Sequence, residues 1–185
     1  MEETVAEFTI DTARPEDIPA LSDLLAELFS LETDFRVDRK RQIRGLRMIL
    51  AFPERGTVLV ARDTTRTIVG MVSIQLLVST AAGGISGQIE DLVVQRGVRS
   101  RGMGSRLLRE ALAWGQSRGS LRFQLAADLR NAPALSFYAR RGFRISSMGV
   151  LYRDPDPGKA LRTEDPGEEG VVRLRIPGPI PPGSG

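Results

Sequence analysis

Arg99, Gly102 and Gly104 are spaced as Arg-x-x-Gly-x-Gly, where a strand pattern gives way to a helix pattern. Within Asp91–Arg109, DLVVQRGVRSRGMGSRLLR, the apolar run Leu92, Val93, Val94 reads as a strand, and helical spacing starts at Ser105. Gln95–Gly104 between them is a basic, glycine-bearing turn. Such a turn at a helix N-terminus makes an anion cradle: bare backbone lets N–H groups approach, and the helix dipole adds partial positive charge. Arg96, Arg99, Arg101 and Arg106 put full charges beside it. The expected guest is a phosphate or pyrophosphate. A plain strand–turn–helix connection with solvated arginines is the alternative account of the same residues.

Spacing narrows the guest. The dinucleotide fingerprint G-x-G-x-x-G would need glycine at position 107, which is Leu107, and no Gly-Lys-Ser/Thr of a P-loop occurs. What remains resembles the pyrophosphate-binding motif with which the GCN5-related N-acetyltransferase (GNAT) family holds acetyl-coenzyme A. A second segment, Asn131–Phe143, reads N-x-x-A-x-x-F-Y-x-x-x-G-F. It is similar, at every position of that pattern, to the other hallmark of the same family. Both motifs occur in the family's order and separation, and the resemblance extends over roughly residues 4–152. Ser100 and Ser105 are tolerated variants within the turn.

The absences limit the chemistry. There is no cysteine and no histidine, which excludes disulfides, thiolate metal sites, an acyl-cysteine, the serine triad and most zinc sites. Proton transfer falls to Asp, Glu, Tyr, Lys or water, and no metal is expected. A net charge of +3 is too small to argue for nucleic acid, and an anionic cofactor accounts for the arginines near the turn. No segment approaches the apolar length of a membrane span and MEETVAEF is no signal peptide, so a cytoplasmic protein is expected.

Acetyl transfer from a thioester to an amine needs a neutral amine, a polarised carbonyl and a proton for the departing thiolate. Tyr138 is one of two tyrosines, and a phenol with its ordinary pKa of about 10 is an apt acid for an alkyl thiolate. The family uses a tyrosine at this motif position in that way; packing beside Phe137 is the other reading. Glu90 precedes the apolar run, and strand alternation puts Gln88, Glu90 and Leu92 on one face and Asp91 on the other. A carboxylate among apolar neighbours has a raised pKa and suits a base for an alkylammonium. Family members with a similar Glu-Asp pair here use the glutamate as base. Glu90 holding a cationic substrate or capping the sheet edge is the alternative, and Asp91, pointing away, is the weaker candidate.

The resemblance also implies an oxyanion contact from a backbone N–H near Leu92, and a pantetheine arm lying along Val94 like an added strand. The acetyl-coenzyme A site is then Leu92, Val93, Val94, Arg99, Ser100, Arg101, Gly102, Met103, Gly104, Ser105, Asn131 and Tyr138. Asn131 is equally an N-cap for its helix. Arg140 and Arg141 read as a solvated helix end, with an approach to the cofactor's ribose phosphate as the alternative.

These residues need a scaffold. A first strand is expected at Thr4–Asp11 and a helix at Ile18–Phe29, with apolar residues at helical spacing. Leu31–Val37 is a loop whose Glu32, Asp34 and Phe35 fall where the family shapes its acceptor pocket. An acidic, aromatic rim favours a polyamine, amino compound or basic peptide. Asp38 caps a second helix, closed by Pro53 and Gly56. Thr57–Ala61 and Ile68–Val78 form a hairpin, Ala81–Gly87 a turn, and Ile89–Val94 the strand entering the glycine turn. A helix to Gln116, a strand at Leu121–Ala126, a short helix at Asn131–Arg141 and a last core strand or bent pair at Phe143–Tyr152 complete the order.

That order implies an α/β fold with a mixed sheet and helices on both faces; the resemblance makes the sheet mostly antiparallel. Residues 1–153 are expected as an acetyltransferase domain. Residues 154–185 are a Pro/Gly-rich tail with an extra strand at 171–176, available to its own sheet edge or to a partner's; a homodimer is the family's common habit. The implied activity is transfer of acetyl from acetyl-coenzyme A to a small-molecule or peptide amine, directly and in a ternary complex. The competing function is a non-catalytic acyl-coenzyme A-binding module in which Glu90 and Tyr138 are structural.

Overall fold

The computed structural model describes residues 8–31, 36–99 and 102–152. Residues up to Arg144 belong to one compact unit, and a second begins at Ile145. In the first unit, β1 (Thr9–Thr12), β2 (Gly56–Arg62), β3 (Ile68–Ser79), β4 (Gly84–Val94) and β5 (Ser120–Leu125) lie in that order in one sheet. The first four pair antiparallel and β5 joins β4 in parallel. Short reversals make sequence neighbours into spatial ones. In the β2–β3 turn the Asp63 carboxylate accepts from the N–H groups of Thr65 and Thr67 at 2.9 and 3.0 Å. The parallel step needs a crossover, supplied by α3 (Met103–Ser117).

β2 is buried along all but its last residue, because both faces of the sheet are covered. On one face α1 (Ile18–Phe29) and α2 (Arg39–Ala51) pack Leu21, Leu25 and Leu46 against Val58, Val60, Met71 and Val93. On the other, Leu107, Leu108 and Ala111 of α3 meet Leu59, Val72, Ile74 and Ile89. α4 (Ala132–Ala139) adds Phe137 and Tyr138 to this second core. The sheet is thus mixed and mostly antiparallel, with helices on both faces.

α3 crosses very close to the β4–β5 pair. A Cβ on Gly115 would stand 2.5 Å from the Phe123 ring, and one on Gly87 would stand 2.7 Å from it. Gly115→Ala is therefore expected to cost about 1–3 kcal/mol, read as a lower urea midpoint with unchanged m-value.

Some boundaries differ from expectation. β4 starts at Gly84 instead of Ile89, because the reversal is completed by Gly83 in the left-handed region at φ +67°. The last core strand expected at Phe143–Tyr152 does not form. Ser146 Oγ donates to the Met148 carbonyl at 3.3 Å and accepts from the Met148 N–H at 3.1 Å, a local bonding that competes with a ladder. Ile145, Met148, Val150 and Leu151 are exposed. The strand expected at 171–176, with the rest of the tail, lies outside the described residues. No helix among the described residues is long and apolar enough to cross a membrane.

Candidate active site

β4 breaks its own alternation. Its ladder to β3 runs Gln88 to Gln75, Ile89 to Ile74 and Glu90 to Ser73, then resumes at Val93 to Met71. Asp91 and Leu92 therefore stand opposite Val72 alone, which is a β-bulge. Asp91 has φ +52°, a left-handed conformation that aspartate tolerates better than most residues. Past the bulge the faces exchange: Leu92 and Val94 pack on the α3 side, and Val93 on the α1–α2 side. The face expected to be shared by Gln88, Glu90 and Leu92 ends at Glu90. Asp91, expected to point away, comes to the same cavity as Glu90.

That cavity measures about 500 Å³ and lies between α1, α2 and the sheet, with Leu25, Phe29, Leu46 and Ile49 as apolar lining. Asp91 Oδ2 accepts from Ser73 Oγ at 3.0 Å. Burial pushes the Asp91 carboxyl up to about 6; the Ser73 hydrogen bond opposes the rise, and the Glu90 charge adds to it. Glu90 itself is exposed. The apolar setting expected around Glu90 thus belongs to Asp91, because the bulge turns the second carboxylate inward. The one signal in the sequence was Ser73, a serine inside the apolar run of β3.

The strand edge beyond the carboxylates is open. β5 pairs with β4 only as far as Ile89 to Leu125, so among the described residues no strand flanks Glu90–Val94 on that side. A short 3-10 turn at Arg96–Val98 follows, and α3 then starts on Gly102, at φ +74° and with no side-chain cap. A Cβ on Gly104 would meet Phe137 and Val94 at 3.7 and 3.8 Å, ordinary contact distances. Packing therefore does not demand glycine there; glycine secures bare backbone at a helix N-terminus, which fits an anionic guest such as a diphosphate. Ser100 and Arg101 lie outside the described residues, as do Glu32, Asp34 and Phe35.

The arginines divide unexpectedly. Arg99 donates through Nε to the Val94 carbonyl at 2.8 Å and pairs with Glu27 at 3.0 Å. It buttresses the turn, and it takes the carbonyl half of the pairing expected between Val94 and a pantetheine arm. Arg106 donates to the Phe8 carbonyl at 3.1 Å and stacks on the Phe8 ring. Arg141, expected to be solvated, is half-buried: it lies 3.6 Å above the Phe137 ring, donates to the Phe137 carbonyl at 2.6 Å and reaches Ser105 Oγ. It puts a cation at the first turn of α3, which departs from the solvated helix end expected of it.

Asn131 Oδ1 accepts from the Ala134 N–H at 3.1 Å and so caps α4. Tyr138 is partly buried, edge-on to Phe137 and Phe143 with ring centroids 5.2 and 5.8 Å away. The fold thus gathers two groups: Glu90 with Asp91 at the cavity, and Val94, Gly104, Ser105, Phe137 and Arg141 around the start of α3.

A model of the acetyltransferase (GNAT) family matches residues 19–143, a span that contains both motifs. No curated protein matches the sequence. Among solved structures, glucosamine-6-phosphate N-acetyltransferase from Arabidopsis thaliana aligns with 80% of this chain and 98% of its own, at 20% identity and TM-score 0.64. A transcriptional regulator from Bacillus halodurans C-125 aligns with 80% of this chain and 100% of its own, at 24% identity and TM-score 0.70. An acetyltransferase of Trypanosoma brucei aligns with 80% and 99%, at 21% identity and TM-score 0.61. At these identities the likeness is one of fold.

Proposed function

The chain belongs to the acetyltransferase (GNAT) family, and from that premise we propose that it moves an acetyl group from acetyl-coenzyme A to a primary amine, by direct transfer in a ternary complex. The observation that carries this reading is the half-open β4, whose bulge turns Asp91 into the cavity that Glu90 also lines and whose open edge leads to the bare start of α3. Backbone amides from Gly102 to Ser105, with Arg141 beside them, hold the diphosphate. The edge Leu92–Val94 would take the pantetheine arm without the Val94 carbonyl, which Arg99 holds, and a backbone N–H near Leu92 would support the carbonyl oxygen. When bound, the cofactor supplies the acetyl thioester.

Asp91 accepts the proton of the alkylammonium, directly or through water. With its pKa near 6 it is ionised at neutral pH, yet it is more basic than a solvated carboxylate. Glu90 steadies the ammonium at the cavity and, by its charge, keeps Asp91 basic. Tyr138 returns a proton to the leaving sulfur. Without cysteine an acetyl-enzyme lacks its usual nucleophile, which favours direct attack. The setting is a cytoplasmic protein with residues 1–153 as the catalytic domain.

Tyr138→Phe is expected to lower kcat by about 10- to 100-fold while leaving coenzyme A affinity nearly intact, measured by free-thiol release and by calorimetry. Unchanged turnover would exclude Tyr138 as the acid. The binding-module alternative is tested in the same assay: acetyl-coenzyme A bound, with no thiol released on any amine of a broad panel, would replace the transferase reading.

A further inference from the structure

Gln42 is a polar residue in an apolar place. It lies on α2 and is 7% exposed, and neither its Nε2 nor its Oε1 has a hydrogen-bond partner among the described residues. A buried polar group left unpaired costs about 1–3 kcal/mol, so an amide here weakens the fold unless something else meets it. The side chain lines the same cavity as Glu90 and Asp91, beside Leu46 and Ile49.

The rest of the lining narrows what that partner is. Arg55 is the one cation among the described lining residues. Its side chain is 78% exposed and lies 3.7 Å from Glu54 and over the Phe52 ring. The described walls therefore offer no buried cation to a phosphate. The two carboxylates are adjacent residues and serve one ammonium, so a second ammonium further along would find no further carboxylate in the described lining, only the neutral amides of Gln42 and Gln75 among apolar side chains. The unpaired atoms of Gln42 are one acceptor and one N–H₂ donor on a single rigid group. Their complement is a group that presents a C=O and an N–H together.

We infer that Gln42 selects the acceptor: the cavity takes a primary amine on an apolar body that carries one neutral primary carboxamide, with the amine toward Glu90 and Asp91 and the carboxamide on Gln42. This rests on the reading of the cavity as the acceptor site. It points away from polyamines and sugar phosphates.

The test uses the full chain with acetyl-coenzyme A and follows thiol release with leucinamide, leucine methyl ester, spermidine and glucosamine 6-phosphate. The ester has an amine of similar basicity and the same apolar body, but no amide N–H. Wild type should favour leucinamide over the ester by about tenfold or more in kcat/KM, because a site built to hydrogen-bond a group rejects the analogue lacking it. Gln42→Leu should erase that preference by slowing leucinamide and sparing the ester. It should also raise the melting temperature of the free protein, since an unpaired buried amide is gone.

Equal rates for leucinamide and ester in wild type, or spermidine or the sugar phosphate as the better substrate, would overturn the inference. So would a Gln42→Leu protein that slows both leucine derivatives alike. Should that variant fail to fold, the wild-type ratio decides alone. Failure of acetyl transfer is separable: if no amine releases thiol, leucinamide binding by calorimetry that is weakened at least about tenfold in Gln42→Leu still supports the assignment, and no binding overturns it.

Discussion

Asp91→Asn is expected to yield a protein that is more stable at pH 8 and nearly inactive. The Asp91 carboxyl has a higher pKa folded, about 6, than unfolded, so the folded state holds the proton more tightly. The stability it contributes is complete below about pH 4 and is lost as pH rises through about 6. Above that, the wild type carries a half-buried negative charge at a cost of up to about 3 kcal/mol. Asparagine keeps the shape, accepts the left-handed backbone at φ +52°, and still takes the hydrogen bond from Ser73. The melting temperature should rise by about 5 °C at pH 8 and hardly move at pH 4. Meanwhile kcat/KM should fall by about 100- to 1,000-fold, and the rising limb of its pH profile near 6 should vanish. Melts at the two pH values and a pH–rate series check both halves. A variant that is fully active, or less stable at pH 8, removes Asp91 from the proposed role.

Asp17→Ala should damage the fold instead, by about 3 kcal/mol or more. Asp17 and Arg62 lie 2.7 Å apart with side chains only 10% and 12% exposed. The same carboxylate oxygen also accepts from the Arg14 N–H at 2.8 Å, fixing the entry to α1. Truncation leaves the Arg62 guanidinium buried with, among the described residues, only the Asp11 carboxylate as an ion-pair partner, at 3.4 Å. Total stabilities run to about 5–15 kcal/mol, so this one loss consumes a large share. By contrast Arg39 and Asp23, 52% and 65% exposed, should contribute under about 1 kcal/mol. Urea melts of Asp17→Ala, Asp23→Ala and the double variant Asp17→Leu/Arg62→Met separate the cases. The double variant should recover much of the loss, because an apolar pair leaves no buried charge. A small effect of Asp17→Ala would show that water reaches Arg62.

What the sequence disclosed was decided locally. Leu21, Leu24, Leu25 and Leu28 mark α1 by spacing alone, and Asp38 caps α2 through the Arg41 N–H at 3.1 Å, as its type and place imply. The glycine turn was legible because Gly102 answers a local demand for positive φ. What was missed depends on alignment between distant segments. Alternation from Gln88 assumes an evenly spaced ladder, and nothing in Glu90-Asp91-Leu92 itself says that two of these residues will face one on β3. Asp17 finds Arg62 across 45 positions. Gln42 sits just before Ile43 in an amphipathic pattern, and only the packed cavity reveals that its amide is enclosed. The missing strand after Phe143 failed for the opposite reason, because Ser146 offers the backbone a nearer partner than any ladder.

The bulge also gives the two acids an order. An L-residue at a left-handed position crowds its own Cβ, and short polar side chains such as aspartate and asparagine bear this better than longer ones. Exchanging the pair would conserve formal charge and composition, yet it would seat glutamate in the turn of handedness and return aspartate to ordinary extended chain. The acidity of the pocket is therefore a stereochemical property of the main chain as much as a chemical property of two side groups.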